Sequence, residues 1–218
     1  MSRDDKRRQH ARQRQAAKRD QKRRALLHAG PAPPPALLRS AATWPVEECL
    51  ISRNWPQEGE LVQVVVARRS PAGAVAAAVF LVDLACLGVK DAFARVFASS
   101  VEYESQLRRR LARPQALVPA DLDLAAKIIH EGIAYARQLG FEPHPDYAAA
   151  AALLQGAQPD ACQMAVPLGK AGKPFFLAGP YDDAPRILAQ LTRGVGPGNF
   201  EYLVPVDVPP DFFDEDEA

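Results

Sequence analysis

Asp83, Cys86, Lys90 and Asp91 place an acid, a thiol, an amine and a second acid within nine positions. Asp83 interrupts the apolar run Val75 to Leu84. A carboxyl in such surroundings is driven toward its neutral form, which raises its pKa into the range a general acid uses. Asp83, Lys90 and Asp91 are therefore the candidate catalytic residues. The plain alternative is that Asp83 ends a strand and either pairs with Lys90 or caps a turn. Cys86 has no recognisable base nearby in the sequence and reads as a small core residue.

Other motifs carry less. His130-Glu131 is followed by Gly-Ile-Ala, so the HExxH helix of zinc hydrolases is absent. A divalent metal would need ligands converging from separate elements, such as Glu131, His144, Asp146 and Asp182, and no spacing requires that. No metal site and no cofactor is expected. The Gly-rich pieces at 168–173 and 194–198 lack the strand–loop–helix setting of a phosphate loop. The first reads as a hairpin turn and the second as a helix C-cap.

The charge pattern says more than the net charge of +1. Residues 1–28 hold eleven Lys and Arg against three acids, residues 207–218 hold six acids and no base, and the body between is close to neutral. Dense cations on a polar segment bind polyanions by releasing condensed counterions. Arg7, Arg8, Arg12, Arg14, Lys18, Arg19, Lys22, Arg23 and Arg24 are the candidate nucleic-acid-binding residues, with RNA, DNA or the ribosome as partner. Arg108 to Arg110 could extend the patch. The competing reading is a solubilising tail, or one that pairs with the acidic C-terminal segment.

These residues must be positioned by a core. At 218 residues and 48% hydrophobic, the chain can bury one. No apolar run approaches the ~20 residues that span a bilayer. The basic N-terminus lacks a following apolar segment, so no secretory signal is expected, and Asp4, Asp5 and Asp20 argue against a transit peptide. Three widely spaced cysteines build neither a disulfide framework nor a metal knuckle, and a cytoplasmic setting is expected.

The chain divides into a basic arm (1–28), a Pro-rich linker (29–35), a globular domain (36–206) and an acidic tail (207–218). Within the domain, Val46 to Ser52 and Leu61 to Arg68 read as strands. The second faces the buried strand Val75 to Leu84 across the turn Ser70 to Gly73. Phe93 and Phe97, four apart, suggest helix from Lys90 to Phe97, with helices at Ala92 to Ala98 and Val101 to Arg113. Asp121 to Leu139 is the longest helical pattern, stopped by Gly140 and paired on its outer face through Lys127 and Glu131. Gly132 inside it implies close packing against a neighbour. Asp146 to Gln155 reads as a further helix. Cys162 to Leu168 and Pro174 to Ala178 read as a second hairpin, Ala184 to Leu191 as a helix capped by Asp182 or Asp183, and Phe200 to Val206 as a last strand. The fold class is α+β: two β-hairpin regions with a central group of helices, a single domain with charged tails.

Three segments carry a resemblance: FLVDLACLGVKDAF (80–93), IIHEGIAYARQLGFEPHPDY (128–147) and GKPFFLAGPYDD (172–183). They resemble a bacterial family of conserved proteins of unknown function, over most of the chain after residue 44. Heavy use of Ala, Arg and Pro fits a GC-rich bacterial genome. The resemblance implies one integral domain and brings no activity, cofactor or catalytic residue with it. Three readings follow. The leading one is a cytoplasmic binding protein that touches nucleic acid or ribosomes through the arm. The others are a carboxylate-based hydrolase or nuclease, with or without a metal, and an interaction scaffold. The sequence leaves open whether the chain is an enzyme.

Overall fold

Two long β-branched and alanine-rich runs in the first half of the domain have no polar face to give to water, so they must lie inside a covered sheet. In the computed structural model, which describes residues 32–111, 116–179 and 182–204, they are β2 (Leu61–Arg69) and β3 (Val75–Asp83), next to β1 (Val46–Ser52). With β4 (Gly88–Phe97) and β5 (Leu117–Pro119) they form an antiparallel sheet of order β4-β3-β2-β1-β5. β2 and β3 pair without a break from Leu61↔Asp83 to Arg69↔Val75. The fold is α+β.

Both faces of the sheet are covered. On one, Val64, Val66, Ala78, Phe80 and Val82 pack against the helix at Leu122–Gln138 and the turns that follow it. On the other, Val65, Ala77, Val79, Phe93 and Phe97 meet Tyr103, Leu107 and Leu111. These three belong to a helix that runs from Ser100–Tyr103 through a π turn at Glu104–Arg108 to Arg109–Leu111. In chain order the helices are α1 (Pro35–Ala41), α2 (the 100–111 helix just described), α3 (Leu122–Gln138), α4 (Tyr147–Ala150, continued by a 3-10 turn at Ala151–Leu154) and α5 (Ala184–Val195).

The stretch Lys90 to Phe97 is strand, not helix, and the helix expected at Ala92 to Ala98 is the end of β4. Positions four apart share a face in a strand as they do in a helix, so Phe93 and Phe97 could not decide the matter. The pairing with β3 decides it.

α3 approaches the sheet closely. A Cβ on Gly132 would lie 2.8 Å from Cγ1 of Val82, and one on Gly88 would lie 2.8 Å from the Cβ of Ala136 and 2.9 Å from the carbonyl oxygen of Gly132. Gly88 also has φ +65°, a left-handed conformation that favours glycine. The helix interior tolerates Gly132 because the sheet occupies the space a side chain would need.

Arg68, near the end of β2, is 5% exposed and is held entirely by main-chain acceptors. Its Nε donates to Leu153 O at 2.9 Å, Nη1 to Trp44 O at 2.7 Å, and Nη2 to Gln155 O. It ties the segment before β1 and the turn after α4 to the sheet, and sequence reading gave no sign of it.

The C-terminal part departs from the second hairpin expected there. Cys162 to Leu168 forms no strand. β6 (Phe175–Leu177) pairs instead with β7 (Glu201–Leu203), in parallel, with α5 between them in sequence. Its core of Phe176 and Leu191 rests on Cys86, Leu87 and Leu139. No helix among the described residues is long and apolar enough to cross a membrane.

Candidate functional site

The β3–β4 turn shows what Asp83 does locally. Its Oδ1 accepts the N–H of Ala85 at 2.9 Å and of Cys86 at 3.0 Å, and the Leu87 N–H also faces the carboxylate. This is an Asx turn: a short acid folds over the next residues and satisfies their donors where no strand partner exists. Gly88 then returns the chain into β4 opposite Asp83. Asp83 is 4% exposed, and burial pushes its carboxyl up to about 6, against the pull of the Lys90 charge and the three N–H donors.

Lys90 is set by a bulge. The pairing of β3 with β4 jumps from Leu81↔Asp91 to Val82↔Val89, so Lys90 is the extra residue. Its Nζ donates to Oδ2 of Asp182 at 2.5 Å, with the two side chains 9% and 12% exposed. The same oxygen accepts the Gly179 N–H at 2.7 Å. Lys90 thus joins β4 to the segment leading into α5. It acts on Asp83 only through its field. Asp91 stands opposite Leu81, across the bulge from the Asp83–Gly88 pair, and is partly exposed.

The structure therefore gathers Asp83, Cys86 and Lys90 and adds Asp182 from 92 positions away. Cys86 is fully buried, and burial together with the nearby Asp83 charge raises its thiol pKa, the opposite of what a nucleophile needs. Tyr135, on α3, packs against the cluster that contains Cys86, and burial raises its phenol pKa, helped by the Asp83 charge. A carboxyl titrating near pH 6 lies in the range of a general acid, but its geometry is that of a turn cap. Asp182 escaped sequence reading as a partner of Lys90. The one available hint was the pair Asp182-Asp183, since a helix needs only one N-cap. Asp183 takes that role, accepting the Arg186 N–H at 3.1 Å.

The residues weighed as metal ligands separate into pairs. Glu131 faces Lys127 at 3.6 Å, His144 faces Asp146 at 3.9 Å, and Asp182 faces Lys90. Among the described residues no group of three or more His, Cys, Asp and Glu could hold a metal ion. The Gly-rich pieces are turns. Lys170 and Lys173 form an isolated antiparallel bridge around Ala171-Gly172, and Gly196 caps α5 at φ +87°.

Two of the three arginines in the basic run on α2, Arg108 and Arg109, face acids. Arg108 lies 3.4 Å from Glu48 and 3.9 Å from Glu104, and Arg109 lies 3.4 Å from Glu104. Arg7, Arg8, Arg12, Arg14, Lys18, Arg19, Lys22, Arg23 and Arg24 lie outside the described residues, as do residues 207–218. Set against protein-family models, curated proteins and solved structures, the chain matches none of them.

Proposed function

We propose that the chain is a cytoplasmic nucleic-acid-binding protein that engages RNA or DNA phosphates, free or within the ribosome, through its basic N-terminal arm. The observation that carries this is the charge segregation: eleven Lys and Arg against three acids in residues 1–28, on a chain whose net charge is only +1. Such a segment neutralises phosphates without reading sequence, and its affinity depends on the counterions it releases. The arm carries the reading, because Arg108 and Arg109 on the body are paired with Glu48 and Glu104.

The test is a salt series with mixed RNA and DNA pools, comparing the natural chain with a full-length variant carrying Gln at the nine arm positions. Nine phosphate contacts give a log–log slope of roughly −6 on single strands and roughly −8 on duplex DNA. Binding should therefore fall about ten-thousandfold between 50 and 200 mM salt, and be lost in the variant. Salt-tolerant binding retained by the variant would move the site to the folded body, and no binding at low salt would end this reading.

The hydrolase reading draws on one observation, the Asp83 carboxyl raised to about 6. The three backbone N–H groups at that carboxylate favour a turn-forming role instead.

A further inference from the structure

β6 buries one side chain and β7 none: Phe176 is enclosed, whereas Tyr202, opposite it in register, is 57% exposed. Register pairs Phe175 with Glu201 and Leu177 with Leu203, so by the two-residue period of a strand these four share the face away from Phe176. Leu177 is 43% and Leu203 54% exposed, side by side, and the Lys170 ammonium lies 4.4 Å from the centroid of the Phe175 ring. Lys173, also exposed, stands in the same turn. The surface is therefore apolar in its middle and carries Lys170 and Lys173 at one end, with Glu201 on the face and Glu58 accepting the Ala171 N–H at 2.9 Å in the lysine turn.

We propose that this face is the docking surface for residues 205–218 of the same chain. The segment continues directly from β7 and combines Phe212-Phe213 with six acids and no base. Its chemistry complements the surface: two aromatic rings for Leu177 and Leu203, and carboxylates for Lys170 and Lys173. Phe212 lies eight positions beyond Val204, a reach of up to about 27 Å when extended. A three-residue strand is about 10 Å long, so the segment can double back over the face with slack to spare. The docked segment shields apolar surface at the edge of a two-stranded sheet, which is where unprotected strands associate. It also keeps the acids on the body rather than on the basic arm. The proposal stands independently of the nucleic-acid reading.

Hydroxyl-radical footprinting of the full chain, read by mass spectrometry at Leu177 and Leu203, tests it. The variant Phe212→Ser with Phe213→Ser removes the rings without touching the described fold. Labelling at both leucines should rise about threefold in that variant, and Lys170→Glu with Lys173→Glu should raise it in the same direction. Equal labelling in the natural chain and the Phe variant overturns the proposal. So does protection that disappears on dilution, because the cover would then come from a second copy.

Discussion

The five-stranded sheet and the β6–α5–β7 unit are built from similar residues but held in different ways. In β2 and β3 nearly every side chain is buried, and the two faces are covered by α2 on one side and by α3 and its following turns on the other. In the C-terminal unit Phe176 and Leu191 are fully buried, whereas β7 is exposed throughout. The sheet owes its position to packing from two sides. The unit owes its position to a seam: Gly169 N–H to Leu84 O at 2.9 Å, Phe175 N–H to Ala85 O at 3.0 Å, Gln190 Nε2 to Leu139 O at 3.2 Å, and the Lys90–Asp182 pair. Two of these four meet the turn that Asp83 shapes, and Lys90 lies just beyond it in β4. Of the residues that looked most like a catalytic group in the sequence, Lys90 attaches one part of the molecule to the other and Asp83 shapes the turn beside it.

Removing one large buried side chain from each region should have different consequences. Phe80→Ala should cost about 4 kcal/mol of global stability, because a ring enclosed on the sheet leaves a cavity that cannot collapse. Phe176→Ala removes an equally buried ring, yet its main effect should be local. Amides of β6, α5 and β7 should lose protection from hydrogen exchange while those of β2 and β3 keep most of theirs. Denaturant melts paired with exchange measurements check both.

The ion pair sharpens the point. Lys90→Met strands Asp182 in a nearly buried site and should cost about 3 kcal/mol. Adding Asp182→Leu should recover most of that loss, since an apolar pair of similar volume removes the unpaired charge. If the double variant is no better than the single one, the pair is needed for more than attachment.

Asp83 gives an effect with a definite sign. Its carboxyl titrates at about 6 in the folded chain against 3.8 ordinarily, so between those values the folded state binds more protons than the unfolded state. Its contribution to stability is greatest below pH 3.8 and declines as pH rises through about 6, by up to about 3 kcal/mol. Asp83→Asn keeps an oxygen for the Ala85 and Cys86 N–H groups and should abolish that decline. The difference between natural and variant unfolding free energies, followed from pH 4 to 7, isolates it.

Thiol labelling is the mildest probe. Cys162 is partly exposed, whereas Cys49 and Cys86 are buried, with the Cys49 thiol pushed up to about 12. One thiol should react with a water-soluble maleimide in the native state, and the other two only on unfolding.

Much of the fold was legible because local signals and tertiary packing agreed. Val46 to Ser52, the β2–β3 hairpin, α3 with its Gly132 contact, and the Asp183 cap on α5 all follow from pattern, turn chemistry or capping. What failed lacked a local signal. Phe93 and Phe97 fit either period, and the Asx turn at Asp83 settles the matter only once β3 and β4 are paired. Cys162 to Leu168 has alternating apolar residues, but Val166 serves the main core instead of a strand partner. Arg68 reaches acceptors 24 to 87 residues away, and Lys90 finds Asp182 across 92. The site's anatomy was half visible for the same reason: Asp83, Cys86 and Lys90 are neighbours in sequence, whereas Asp182 and Tyr135 come to them only through the fold.

In this account the Asp83–Lys90–Asp182 seam fastens a separately openable C-terminal unit onto a rigid sheet. Native-state hydrogen exchange across a denaturant series tests it most directly. Amides of β6, α5 and β7 should open at a lower free energy than those of β2 and β3, and Lys90→Met should lower the first group further while changing the second much less. A single shared opening energy for both groups, shifted equally by Lys90→Met, would contradict it.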